Sequence, residues 1–267
     1  MTKATGDIRN IALVGHAGAG KTLLAEALLY GAGSIRAKGS LARGTTVCDH
    51  DPQARRLLHS VDATLCWLET GGAHVNLVDT PGYPDFTGRT LPVLEAVETA
   101  AVVTSAAAGV EAMTQRMMDC ARERGLCRVV VINKIDAHDA DTEATLEEVR
   151  EQFGRECLPV NLPAAGGSKV IDCFFHNDGE ATDFSSVKQA HTEIIDQVVE
   201  VDEELMALYL EQGEELAPAQ LHDPFEKALR EGHLVPVCFV SAKTGAGVAE
   251  LLDVLVKLAP NPLEGNP

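Results

Sequence analysis

Aromatic side chains are scarce in this 267-residue chain, at 4%. Its core has to be built from aliphatic residues, and a hydrophobic content of 45% is ample for that. Paired cysteines are missing too. The seven cysteines are an odd number with no CxxC pair among them, which argues against a disulfide framework or a zinc site and for reduced thiols in the cytoplasm. No apolar run is long enough to span a membrane, and Met1–Asn10 does not read as a signal peptide. Basic residues are outnumbered 22 to 40, a formal charge of −18. Such a surface repels polyanions in bulk, so free DNA is not an expected partner, and contact with RNA would need a local neutral or basic patch. The shortage is sharpest between Gln189 and Glu226, where there is no Lys or Arg and Glu200, Asp202, Glu203, Glu204, Glu211, Glu214 and Glu215 crowd together. Ile194, Ile195, Val198, Val201, Leu205, Leu208 and Tyr209 recur there at helical spacing. That pattern gives one packed face and one strongly negative face. The negative face is either plain solvated surface or a docking surface for a basic partner.

Four short blocks stand in order: GHAGAGKT (15–22), DTPG (79–82), NKID (133–136) and SAK (241–243). The first follows the apolar run Ile8–Val14, which reads as a buried strand, and precedes the apolar helical stretch Leu23–Leu29. Strand, glycine-rich turn and helix are the context in which GxxxxGK[ST] cradles phosphates. Gly15, Gly18 and Gly20 let the backbone curl, so that the N–H groups of His16, Ala17, Gly18, Ala19 and Gly20 can face inward. With the helix N-terminus they suit a triphosphate. Lys21 would reach the β- and γ-phosphates, and Thr22 would offer its hydroxyl to Mg²⁺.

NKID sits at the end of Arg128–Ile132, another apolar run, where open α/β sheets bind ligands. Asp136 selects the base. Its two oxygens can accept from N1–H and N2–H₂ of guanine, whereas adenine presents an acceptor at N1 and no 2-amino group. Buried unpaired groups are costly, so the carboxylate discriminates. Asn133 and Lys134 would brace the base and the phosphate loop. SAK follows the strand Val235–Val240, and the N–H of Ala242, between Ser241 and Lys243, can donate to guanine O6. DTPG follows His74–Val78. Asp79 can hold Mg²⁺ through water, and Gly82 can present its N–H to a γ-phosphate only while that phosphate exists, which makes a switch.

The blocks, their order and the continuation DTPGYPDF resemble the translational GTPases. The stretch 194–216 is similar to the helical insert of elongation factor G, and LAPNP (258–262) to the end of that factor's first domain. The resemblance implies a nucleotide-dependent switch that hydrolyses GTP to GDP and phosphate on the ribosome, with the acidic insert helix facing the ribosomal stalk protein. It also implies that the chain, an expected monomer, is either a piece of a longer factor or a nucleotide domain that acts alone. The family's closing threonine, counted back from Asp79 at the family's spacing, falls on Ser60; RGTT (43–46) makes Thr45 or Thr46 the rival for Mg²⁺.

Three departures stand out. The family's DTPGH histidine positions the attacking water, and Tyr83 replaces it here; a phenol, with an ordinary pKa of about 10, is a weak base. A family aspartate in the phosphate loop is Gly18. Apolar residues that flank the catalytic histidine correspond to Ala17 and His59, and His59 could partly replace the missing imidazole or could be an ordinary loop residue. Catalysis would therefore rest on Lys21, Gly82 and Tyr83. The alternative is a GTP-sensing, ribosome-binding module with weak or no hydrolysis. A P-loop kinase would gain little from NKID or SAK.

Strands alternating with helices predict an α/β fold, a mainly parallel sheet with helices on both faces. Five strand candidates fall in about the first 150 residues. The long stretch between NKID and SAK implies an α+β insert, placed at 154–232, so that the GTP-binding domain is discontinuous (1–153 and 233–260) and 261–267 begins a linker. Gly166-Gly167 suggests a small antiparallel hairpin within the insert. Gly31–His59, rich in turn residues, reads as a loop that is mobile without triphosphate.

Overall fold

The computed structural model describes residues 3–200, 205, 206, 209 and 218–265, with the backbone alone described for 218–223. The acidic positions Asp202, Glu203, Glu204, Glu211, Glu214 and Glu215, together with Val201 and Leu208, lie outside the described residues.

The main sheet has seven strands: β1 (Ile8–Val14), β2 (Thr64–Thr70), β3 (Ala73–Asp79), β4 (Thr99–Ser105), β5 (Cys127–Asn133), β6 (Cys157–Pro159) and β9 (Val235–Phe239), in the order β2-β3-β1-β4-β5-β9-β6. Every pairing is parallel except β2 with β3. The five strands expected in the first 150 residues are β1 to β5. The edge strand β6 lies inside the span assigned to the insert.

Burial on both faces explains why the central strands read as unbroken apolar runs. Ile11, Leu13, Val129 and Val131 point to one side, against α1 (Lys21–Gly31) and α8 (Val248–Lys257). Ala12, Val14, Val130 and Ile132 point to the other, against α4 (Ala112–Glu123) and α5 (Thr142–Phe153). Two short helices, α2 (Pro52–Leu57) and α3 (Thr87–Thr90), flank the loops at the strand ends. Aliphatic side chains dominate both layers, as the shortage of aromatics requires.

β2 is different. As an antiparallel edge strand it alternates, burying Cys66 and Leu68 and exposing Leu65 and Trp67. Trp67 lies over His74 of β3, with ring centroids 5.5 Å apart.

The double glycine forms the expected hairpin. β7 (Asn161–Ala164) and β8 (Lys169–Asp172) pair antiparallel, and Ala165, Gly166 and Gly167 all adopt positive φ between them. The Asp183 carboxylate accepts from the N–H groups of both glycines, at 3.0 Å each. Helix α6 (Val187–Val199) closes a small core of Leu162, Cys173, Val187 and Ala190 over this hairpin. Its other apolar residues, Ile194, Ile195 and Val198, join the main core with Phe225 and Leu229 of α7 (Pro218–Glu231). The packed face expected over 194–198 is therefore present, and Leu205 is buried with it.

Candidate nucleotide site

The sheet order brings the four blocks together. β3, β1, β5 and β9 are all parallel, so their C-terminal ends face one way. Leu13 pairs with Asp79, and Ile132 with Phe239. Each block begins where its strand stops.

Residues 15–20 form a tight loop leading into α1. Gly15 has φ +131 and a Cβ there would run into the Val103 carbonyl; Gly20 has φ +92 and a Cβ would meet Asn133 Nδ2 at 2.6 Å. Only glycine fits both positions. Lys21 is buried, and its ammonium donates to the carbonyls of Gly15 (3.0 Å) and His16 (2.8 Å). The charge thus sits at the centre of the loop. Burial pulls its pKa down to about 8, against the opposing pull of Asp79.

His16 contributes its backbone carbonyl, while its ring is turned to α4. Nδ1 lies 2.8 Å from Thr114 Oγ1, and the His16 N–H donates to the same hydroxyl. Burial, with Lys21 and Lys134 nearby, lowers the ring's pKa to about 4. The imidazole is neutral at pH 7, so its approach to Glu111 at 3.6 Å is not an ion pair.

Three oxygens converge beside Lys21. Thr22 Oγ1 donates to Asp79 Oδ2 at 2.6 Å and lies 3.1 Å from Ser60 Oγ. Asp79 Oδ1 is buried with no partner. A hard divalent cation is the natural partner for such a set, since Mg²⁺ takes few protein oxygens and completes its shell with water and phosphate. Of the rivals, Thr45 uses its hydroxyl to accept from the Ser40 N–H, and Thr46 is buried with its hydroxyl unpartnered. Asp49, which the sequence reading missed, lines the same cleft and buries an unpartnered Oδ2. No spacing rule in the long α1–β2 segment pointed to it.

Burial raises the Asp79 pKa from 3.8 to about 7, despite the Thr22 hydrogen bond and Lys21. A cation requires the ionised form. Magnesium-dependent nucleotide affinity should therefore fall nearly tenfold for each pH unit below about 7 and level off above it. Calorimetry in two buffers of different ionisation enthalpy checks this by counting the proton released. For folding of the nucleotide-free chain the sign is opposite. The raised pKa stabilises fully below 3.8, and the contribution is lost as pH rises through about 7.

Asn133 ties the NKID and SAK blocks to the 15–20 loop. Its Nδ2 donates to Ala19 O at 2.9 Å, and its Oδ1 accepts from the N–H groups of Lys134 (2.8 Å) and Ala242 (3.0 Å). The Ala242 donor intended for guanine O6 is thus held by Asn133. Asp136 Oδ1 accepts from Ser241 Oγ at 2.6 Å, and Lys243 Nζ stands 3.4 Å from Oδ2. Burial works to raise the Asp136 pKa, but the Ser241 and Lys243 hydrogen bonds outweigh it and the net shift is downward. The carboxylate is an ionised acceptor.

Gly82 packs on the phosphate loop, where a Cβ would meet Lys21 Nζ and, at 2.6 Å, the Ala17 nitrogen. Tyr83 is 43% exposed, and its ring leans on His59 with centroids 4.5 Å apart. Both line the cleft with Gly18, Lys134 and Lys21. The predicted site residues therefore meet at one end of the sheet, and neither Thr45 nor Thr46 lines the cleft there.

Residues 6–261 match the model of the elongation factor Tu GTP binding domain. The chain belongs to that family. Among curated relatives, the elongation factor G-like protein of Mycobacterium tuberculosis (strain ATCC 25618 / H37Rv) is 37% identical across 97% of this chain, and that of Thermotoga maritima 32% across 97%. Peptide chain release factor 3 of Symbiobacterium thermophilum is 31% identical across 95%. This chain spans 38% of each elongation factor G-like protein and 50% of the release factor. A crystal structure of a protein from Thermus thermophilus superposes with a TM-score of 0.87 at 38% identity, over 97% of this chain and 41% of that one. The domain is thus a translational GTPase domain related to elongation factor G-like factors. Among the described residues no helix is long and apolar enough to cross a membrane.

Proposed function

We propose that this domain binds GTP and GDP with Mg²⁺ and hydrolyses GTP to GDP and phosphate as the switch of a ribosome-acting, cytoplasmic factor. The observation that carries this reading is the meeting of Lys21, Thr22, Asp79, Asn133 and Asp136 at one end of the sheet. In binding, the Lys21 ammonium exchanges the Gly15 and His16 carbonyls for β- and γ-phosphate oxygens. Inward backbone N–H groups of residues 16–20 share the remaining charge. Mg²⁺, held by Thr22, Ser60 and Asp79, would neutralise charge building on the phosphates. Phosphoryl transfer needs positioning and electrostatic stabilisation more than covalent help, so these groups carry most of the chemistry.

Gly82 lies where a γ-phosphate has to enter between it and Lys21. Entry displaces the DTPG turn and offers the Gly82 N–H a new acceptor; phosphate loss reverses this. We place the GTP-binding residues at 1–153 and 233–260 around an insert at 154–232, with β6 lent to the main sheet. The acidic insert helix would face the ribosomal stalk protein, and the domain would act as a monomer.

Tyr83 favours a second reading, a GTP-sensing module that turns over poorly. A phenol exchanges protons near neutrality less readily than an imidazole, and Tyr83 rests on His59. Multiple-turnover phosphate release, measured on the complete polypeptide that bears this domain, separates the two. Hydrolysis predicts release stimulated at least about a hundredfold by ribosomes, the lower end of what general acid–base assistance supplies. A rate unmoved by ribosomes, with GTP still bound, leaves the sensing module.

A further inference from the structure

The α1–β2 segment, residues 32–63, is anchored at two distant places. Glu26 of α1 is buried, and its two carboxylate oxygens accept from the N–H groups of Gly39 and Val47. One side chain therefore fixes both the start and the middle of the segment against the helix that follows the phosphate loop. Gly39 lies so close to Thr45 and Thr46 that a Cβ would meet Thr46 Cα at 2.6 Å. Beyond Val47 the same segment supplies Asp49 and Ser60 to the cleft beside Thr22.

The second anchor belongs to Lys38, next to Gly39. Its ammonium donates to the carbonyls of Ala242 (2.9 Å) and Lys243 (2.7 Å). Those carbonyls belong to the loop that meets the base. The loop's other fastenings come from its own backbone, through Gly245 and Ala246, and from the base-reading residues. Asn133 takes the Ala242 N–H, Asp136 takes the Ser241 hydroxyl, and Ser241 Oγ takes the Thr244 N–H. Lys38 is its tie to the segment that reaches the candidate metal ligands.

We propose that Lys38 is a positioning residue for base recognition, coupling the order of the α1–β2 segment to the grip of the 241–243 loop on guanine. This rests on the reading of the site as a guanosine nucleotide site. The physical argument is short. Ala242 carries both groups in question: its N–H, held at 3.0 Å by Asn133 Oδ1, is the donor that would have to turn to O6, and its C=O is held by Lys38. A charge-assisted hydrogen bond to the carbonyl fixes the direction of the loop backbone there, and with it the direction of the neighbouring Ala242 N–H. When Gly39 is pinned by Glu26, Lys38 is in reach of the loop. When the segment rearranges around a new ligand at Ser60 or Asp49, the clamp moves with it.

The test uses Lys38→Met and Lys38→Arg. Affinity is measured by calorimetry for GDP and, at higher concentration because it also lacks the N1–H, for 2-aminopurine riboside diphosphate, which keeps the 2-amino group for Asp136 but has no O6. Loss of two charge-assisted hydrogen bonds at a partly solvated site should weaken GDP about tenfold in Lys38→Met. Binding of the analogue should stay within about twofold of the unaltered chain, within what an exposed polar change does. Lys38→Arg, which can span two carbonyls, should restore most of the GDP affinity. A general folding defect would weaken both ligands equally, and that result overturns the proposal, as does unchanged GDP binding in Lys38→Met. Failure of the unaltered chain to bind GDP overturns the guanosine reading and this proposal together, and is distinguishable because it needs no variant.

Discussion

Asp136→Asn should weaken GTP about a hundredfold while strengthening xanthosine triphosphate. Asp136 is held ionised by the Ser241 and Lys243 hydrogen bonds, so it offers two acceptors to the N1–H and N2–H₂ of guanine. The amide replaces one acceptor with a donor. Facing guanine it leaves a buried donor opposite a donor. Facing xanthine, whose C2 carries a carbonyl, the same NH₂ finds a partner. The two affinities move in opposite directions, which no loss of fold can produce. Competition titration of GTP against the xanthosine nucleotide reads both at once. An unmoved GTP affinity would remove Asp136 from the base-reading role.

Lys21→Met should reduce affinity for GDP and GTP on the order of a hundredfold or more, through loss of charge-assisted bonds to two phosphates. Its effect on the empty fold should be small. The Lys21 pKa falls from 10.5 to about 8, so the fold favours the neutral amine. That contribution is present above 10.5 and is lost as pH falls through about 8. At pH 7 the buried charge costs about 3 kcal/mol. Methionine removes this cost and strands the Gly15 and His16 carbonyls that Lys21 had satisfied, at about 1–3 kcal/mol each. The two roughly cancel. The melting temperature of the nucleotide-free variant should stay near that of the parent, while added GDP no longer raises it. A cooperative loss of fold in the empty variant would show that the lysine's main role is structural.

The central strands and both sides of the site were legible in the sequence for one reason. Burial on two faces writes continuous apolar runs, and the phosphate and base loops begin where those runs stop. Ile8–Val14 reads directly as β1, and Gly166-Gly167 as a hairpin turn. What escaped is tertiary. β6 is three residues long and pairs with a strand far along the chain, so no local pattern marks it. Gly31–His59 has the composition of a mobile loop, yet Glu26 and Lys38 fasten it through backbone groups. Backbone carbonyls and amides exist at every residue, so a side chain that seeks them leaves no trace in the order of amino acids. Asp49 escaped for a related reason. Its placement beside Asp79 depends on how the segment folds, not on its spacing.

Trp67 is the single tryptophan of the chain and stands at the sheet's open edge, stacked on His74. Thr64, at the start of its strand, donates to the carbonyl of Cys48, one residue before Asp49. The molecule consequently carries its own fluorophore a few residues from the segment proposed to rearrange. Nucleotide loading should then be readable as a change in ultraviolet emission on unlabelled material, with no dye attached to the nucleotide.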